Sequence, residues 1–195
     1  AIAMANQAAN EPDFQFDLGD AVSLNASASN SSTETTATVR TKYLNQRVFF
    51  DNIAHSIPVF LLAGNHENEE AWNLDDYGNT ATDVQYSLPV LSANARKRYF
   101  LNPVPDDFYT GNADDAVTLP NGTVIDFANS PVIEDGLKET YFSFEWGDAL
   151  FVTLDPYWYT MRKPFNGSRG GEINDETDVG TRWDWTLGTN QYQWL

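Results

Sequence analysis

The chain has 195 residues, 42% hydrophobic and 14% aromatic, which is enough apolar material for a packed core and excludes wholesale disorder. Its 28 Asp and Glu stand against 11 Lys and Arg, a net charge of -17 with pI ≈ 4.1, so its field repels polyanions and excludes nucleic acid as a structural partner. It has no cysteine, which rules out disulfides and thiolate metal sites, and no apolar run approaches the roughly 20 residues that a membrane-crossing helix needs.

Residues 1–11 are rich in Ala and Asn and carry helix propensity; Pro12 separates them from an alternating strand over residues 13–18, which Gly19-Asp20 closes. Residues 25–38 hold almost no large apolar side chain and are expected as a loop or insertion. Over residues 39–55 the positions Tyr43, Leu44, Val48, Phe49 and Ile53 recur at helical spacing, and Ser56-Ile57-Pro58 ends the helix they predict. Val59-Phe60-Leu61-Leu62-Ala63 then reads as a strand buried on both faces. Helix, strand, loop, helix, strand is the order of an α/β fold, with helices covering a central sheet. In such sheets ligands bind beyond the carboxyl ends of the strands, which directs attention to the two glycine turns at residues 19–20 and 64–66.

Residues 68–137 read as an insertion that shapes the rim of the site, with a short helix over 91–99 that Pro103 and Pro105 end. Residues 141–146 and 149–154 pair as a hairpin around Gly147-Asp148, residues 166–180 are polar and Gly-rich, and residues 189–195 open a further helix. The aromatic group Tyr157, Trp158 and Tyr159 has two readings, the lining of a substrate pocket or packing in the core or at the rim, of which packing is expected, and Trp183 and Trp185 are read likewise. The acidic pairs Asp75-Asp76, Asp106-Asp107 and Asp114-Asp115 lack the spacing of a Ca²⁺ loop and are expected as solvated turns. His55, at a helix end, is expected to be structural.

A Gly-Asp at one strand end is usually only a turn. Here Phe16-Asp17-Leu18-Gly19-Asp20 and Ala63-Gly64-Asn65-His66-Glu67 stand at two strand ends with a helix between them. The pair resembles the second and third signature blocks of the calcineurin-like metallophosphoesterases, and residues 141–155 and 191–195 are similar to acid-phosphatase-like members of that family. The resemblance implies an α/β catalytic domain of the α+β sandwich type, its β-sheets flanked by helices. It also implies a centre of two divalent or trivalent ions (Fe, Mn or Zn), at which a metal-bound hydroxide attacks a phosphomonoester or phosphodiester. On it Asp20 would bridge both metals, Asn65 would bind one of them, and His66 would be the catalytic acid that contacts the phosphate. The substrate would be a small-molecule or lipid phosphate ester, admissible in so acidic a protein because metal ions reverse the field locally.

The residue types suit those roles on physical grounds. Hard and borderline cations favour oxygen and imidazole ligands, and one carboxylate can bridge two ions about 3.5 to 4 Å apart. A neutral amide oxygen such as that of Asn65 limits the charge of the site, and an imidazole can hydrogen-bond a phosphoryl oxygen or protonate a leaving alkoxide. Gly19 and Gly64 let the backbone turn sharply. Glu67 is expected to orient its neighbours rather than to bind metal.

The family pattern also has an Asp-x-His block upstream and further His blocks downstream; no His precedes Asp20, and none follows His66. The expectation is therefore a partial catalytic domain over residues 1–195, truncated at both ends, an incomplete sheet, and a fragment inactive by itself. Ala21-Val22-Ser23 stands where the acid-phosphatase subgroup carries a Tyr, against an iron-tyrosinate site. Four Asn-x-Ser/Thr acceptors, at Asn25, Asn30, Asn121 and Asn166, favour the secretory pathway or an extracellular location. The alternative function is a secreted acidic binding module that keeps the fold without catalysis.

Overall fold

The alternating run after Pro12 forms β1 (Gln15–Asp17), and the apolar run after Pro58 forms β2 (Val59–Leu61). The two pair in parallel with Phe16 opposite Phe60, as two strands joined by a helical crossover can. This computed structural model describes residues 6, 9–24, 34–74, 84–111, 116–118, 122, 124–126, 138–161, 164 and 185–195. Most of the expected first helix, residues 25–33 of the expected loop, Asp75-Asp76, Asp114-Asp115, residues 166–180 and Trp183 lie outside the described residues.

The crossover helix α1 (Thr36–Ala54) begins earlier than its apolar spacing indicates, because Thr35 caps it. Thr38 N donates to Thr35 Oγ1 at 3.2 Å, and Thr35 N donates to Thr38 Oγ1 at 2.8 Å, a reciprocal cap that satisfies two otherwise orphaned donors. The helix buries Val39, Tyr43, Phe50 and Ile53, whereas Leu44, Val48 and Phe49 are exposed. The expected apolar stripe therefore mixed two ridges, of which only one turns inward. His55 caps the C-terminus, its Nδ1 lying 3.0 Å from Asp51 O.

A one-turn 3₁₀ helix (Ala71–Asn73) leads to α2 (Leu88–Tyr99). Pro89 occupies the first turn of α2, where a missing N–H costs nothing, so the helix starts before residue 91. Although α2 falls inside the stretch expected as an insertion, it is buried on most sides, Arg96 and Lys97 included, and packs against α1. Tyr43 Oη and Ser92 Oγ share a buried hydrogen bond of 2.7 Å across that contact.

Two antiparallel units follow. One is the ribbon β4 (Ala116–Thr118) with β5 (Val124–Asp126); the other is a three-stranded sheet in the order β3 (Thr110–Gly111), β6 (Phe142–Trp146), β7 (Ala149–Thr153). The predicted hairpin is β6–β7, with Phe144 opposite Phe151. Helix α3 (Gly188–Trp194) closes the described chain.

Strand alternation sorts the core into layers. Phe60 points with Phe14 and Phe16 toward Phe142, Phe144, Phe151 and Tyr109, so the parallel pair faces the antiparallel sheet across an aromatic layer. Leu61 points the other way, into Val39, Tyr43, Phe50, Leu91 and Ala95 of the helix pair. Trp158 and Tyr159 join Ala71, Leu74, Val90 and Tyr141 in a third cluster. This mixed arrangement of helices and small sheets is of α/β or α+β class. The outward residues of β7 and its extension, Leu150, Val152 and Leu154, are exposed, whereas Trp146, itself half-open, turns to the inner face and meets Phe14.

On the side of β2 away from β1, the Asn102 side chain takes the place of a strand: Leu61 N donates to its Oδ1 at 3.2 Å, and its Nδ2 donates to Leu61 O at 2.8 Å. No helix among the described residues is long and apolar enough to cross a membrane.

Candidate functional site

The chain leaves β1 through two successive left-handed residues, Gly19 (φ 97°) and Asp20 (φ 59°). Asp17 Oδ1 accepts the Gly19 N–H at 3.1 Å and shapes the turn. Gly19 is required twice over, by its φ and by space, since a Cβ there would stand 2.3 Å from Gly64 N. The two strand-end turns thus touch backbone to backbone.

Glu67 holds them together. Its side chain is buried, Oε2 accepts the N–H of Asp20 at 2.9 Å and of Gly64 at 2.7 Å, and Oε1 accepts the N–H of Val22 at 2.9 Å. Further bonds complete the seam: His66 N donates to Asp20 Oδ1 at 3.1 Å, Leu24 N to His66 O at 3.0 Å, and Asn68 Nδ2 to both Leu24 O and His66 O. Burial pushes the Glu67 carboxyl above its ordinary range, the three N–H donors pull it back, and the charge of Glu69 adds to the rise.

Asp20, Asn65 and His66 are consequently brought to one exposed edge beyond the carboxyl ends of β1 and β2, with Glu67 buried behind them. Asp17 was not singled out from the sequence, although its place at the last residue of a strand, three before Asp20, was a readable signal. Its carboxyl is half-buried and pushed up by burial, lowered in part by the Gly19 N–H, and raised further by the Asp20 charge.

Behind the seam lies a buried ionic chain. Arg96 Nε donates to Glu69 Oε1 at 2.7 Å, and Lys138 Nζ lies 3.0 Å from Glu69 Oε2 and 3.3 Å from Asp155 Oδ2. Burial alone would raise the Glu69 carboxyl, but the Arg96 and Lys138 charges outweigh it and hold it down to about 2. Asp155 Oδ1 in turn accepts the N–H groups of Tyr157 and Trp158 at 2.9 and 3.0 Å. The turn that carries His66 is therefore anchored to α2 and to the segment after β7.

As a metal site the edge offers the Asp20 carboxylate and the Asn65 amide oxygen, which suit hard and borderline cations. Among the described residues, no group of three or more His, Cys, Asp or Glu side chains is arranged to hold a metal ion. The described donors fit part of a two-ion centre and do not fill it, since even one structural zinc takes about four ligands. The acidic residue Asp106 serves its own loop, its Oδ1 accepting the N–H groups of Phe108 and Tyr109.

Of the aromatic group after β7, Trp158 and Tyr159 are core, whereas Tyr157 is partly exposed and meets Trp72 and Trp185. No protein-family model matches the chain, and neither a curated protein nor a solved structure matches it.

Proposed function

We propose that the protein is part of a metal-dependent phosphoric ester hydrolase of the calcineurin-like kind, with the two glycine turns forming one side of the active site. The observation that supports this most is the Glu67 carboxylate, which binds the backbone of both turns at once and so places Asp20, Asn65 and His66 on the same edge. A motif pair that was merely two loops would have no need of a shared buried clamp.

On this reading Asp20 and Asn65 would hold the metal, with the remaining donors supplied from outside the described residues. Metal ions bound there would neutralise charge on the phosphoryl group of a monoester or diester and polarise it. The His66 imidazole, exposed at the edge, would hydrogen-bond a phosphoryl oxygen and return a proton to the departing alkoxide. The bond from its backbone N–H to Asp20 Oδ1 fixes the spacing of its turn to the carboxylate.

The test is hydrolysis of an aryl phosphate and of a bis-aryl phosphodiester by the intact gene product with Mn²⁺, Zn²⁺ or Fe added, beside Asp20→Asn and His66→Ala. The expected result is metal-dependent turnover that falls by roughly 10²- to 10⁴-fold in His66→Ala and is lost in Asp20→Asn. Folded protein without metal-dependent turnover on either ester would overturn the reading in favour of the binding module.

A further inference from the structure

Trp72, Tyr157 and Trp185 meet in one place. Ring centroids are 6.4 Å apart for Trp72 and Tyr157, 5.7 Å for Trp72 and Trp185, and 5.5 Å for Tyr157 and Trp185, all edge to face. None of the three belongs to a buried cluster, and Trp185 remains 39% exposed. Trp72 and Tyr157 are half-buried, so the three rings form one aromatic platform that opens to solvent chiefly at Trp185, a kind of ring that carries recognition at surfaces.

Two tethers set this cluster beside the glycine turns. Ala71 N, four residues after Glu67, donates to Tyr157 O at 3.1 Å, and Asp155, which anchors Tyr157 through its N–H, is ion-paired to Lys138 and through it to Glu69. Burial, and then the carboxylates of Glu70, Asp20, Asp155 and Glu67, push the Tyr157 hydroxyl above its ordinary range. The rings are in mutual contact and leave no gap between them, which disfavours a cage around a cation.

We propose that Trp72, Tyr157 and Trp185 form the stacking surface for the aromatic or heteroaromatic group of a phosphate ester whose phosphoryl end sits at Asp20, Asn65 and His66. This rests on the phosphoesterase reading for the phosphoryl end and adds the class of its leaving group. Trp185, the most exposed of the three, takes the substrate ring. Such a contact is sequence-tolerant and selects for ring over chain.

The experiment compares adenosine 5′-phosphate with glycerol 3-phosphate, by steady-state hydrolysis and by calorimetric binding with Mn²⁺ present, in the wild type, Trp185→Ala and Trp185→Phe. Stacking on one ring is worth roughly ten- to a hundredfold, so Trp185→Ala should lose about that factor in kcat/KM for the adenosine ester alone, with Phe restoring most of it. Equal losses on both esters, or none, would overturn the stacking surface while leaving the phosphoesterase in place. If neither ester is hydrolysed, calorimetry decides: adenosine 5′-phosphate binding that Trp185→Ala weakens and Phe restores supports the surface without the catalysis, and binding that is absent or indifferent to Trp185 overturns it.

Discussion

A Cβ placed on Gly64 would stand 2.3 Å from Asp20 Oδ1, so the glycine of one strand-end turn and the carboxylate of the other are packed with no room for a methyl group between them. Gly64→Ala must therefore displace the Asp20 side chain or push the turns apart, at about 1–3 kcal/mol of overpacking. Gly19→Ala should cost more, because its Cβ meets backbone at Gly64 N and its φ of 97° is strained for any L side chain. Denaturant unfolding of the two variants checks the order; midpoints equal to wild type would show that the turns are not packed in this way.

Glu67→Gln tests the clamp with almost no change of shape. Three N–H donors converge on two carboxylate oxygens, whereas an amide presents one oxygen and an NH₂ that faces donors. The expected loss is about 3 kcal/mol, read from the denaturant midpoint, together with weaker binding of Mn²⁺ by calorimetry. Full stability in the variant would mean that the turns hold each other without Glu67.

The buried chain through Glu69 gives a pH signature. Its folded pKa is depressed to about 2 from an ordinary 4.5, so its stabilisation is fully present above about pH 4.5 and is lost as pH falls toward 2. A shift of that size corresponds to about 3 kcal/mol. The stability difference between wild type and Glu69→Gln should thus be greatest near neutrality and shrink across that window. A difference that does not vary with pH would show that Arg96 and Lys138 do not act on Glu69 as charges.

Asn102→Ala leaves both the N–H and the C=O of Leu61 without the partner that now stands in for a strand. Two buried backbone groups left unmatched should cost about 2–4 kcal/mol and loosen β2 just ahead of Gly64. Hydrogen exchange at Leu61 is the direct readout, and unchanged protection there would mean that another group takes over.

Some of this was legible in the sequence and some was not, for identifiable reasons. The strand-end turns stood out because glycine beside Asp, or beside Asn and His, marks sharp backbone turns at the ends of apolar runs, and β1, β2 and the β6–β7 hairpin follow from period and turn residues alone. The inward ridge of α1 was blurred because apolar residues stand next to each other at Tyr43-Leu44 and Phe49-Phe50, and only packing against α2 chooses between them. Glu69, Arg96 and Lys138 carry no local signal, since a charged residue reads as surface until the fold brings its partner 27 positions away to within 2.7 Å. Asn102 is hidden for the same reason: an isolated Asn before a proline looks like a turn, and its function as a strand substitute exists only in three dimensions.

The exposed outer side of β7, with Leu150, Val152 and Leu154, is an apolar strip on a molecule of net charge -17. At low ionic strength, mutual repulsion keeps such strips on separate molecules apart. As added salt shortens the Debye length from about 10 Å at 0.1 M to about 3 Å at 1 M, that barrier is screened while the apolar attraction persists. Added salt should therefore favour self-association through this strip without changing the fold, and light scattering against ionic strength reads it directly.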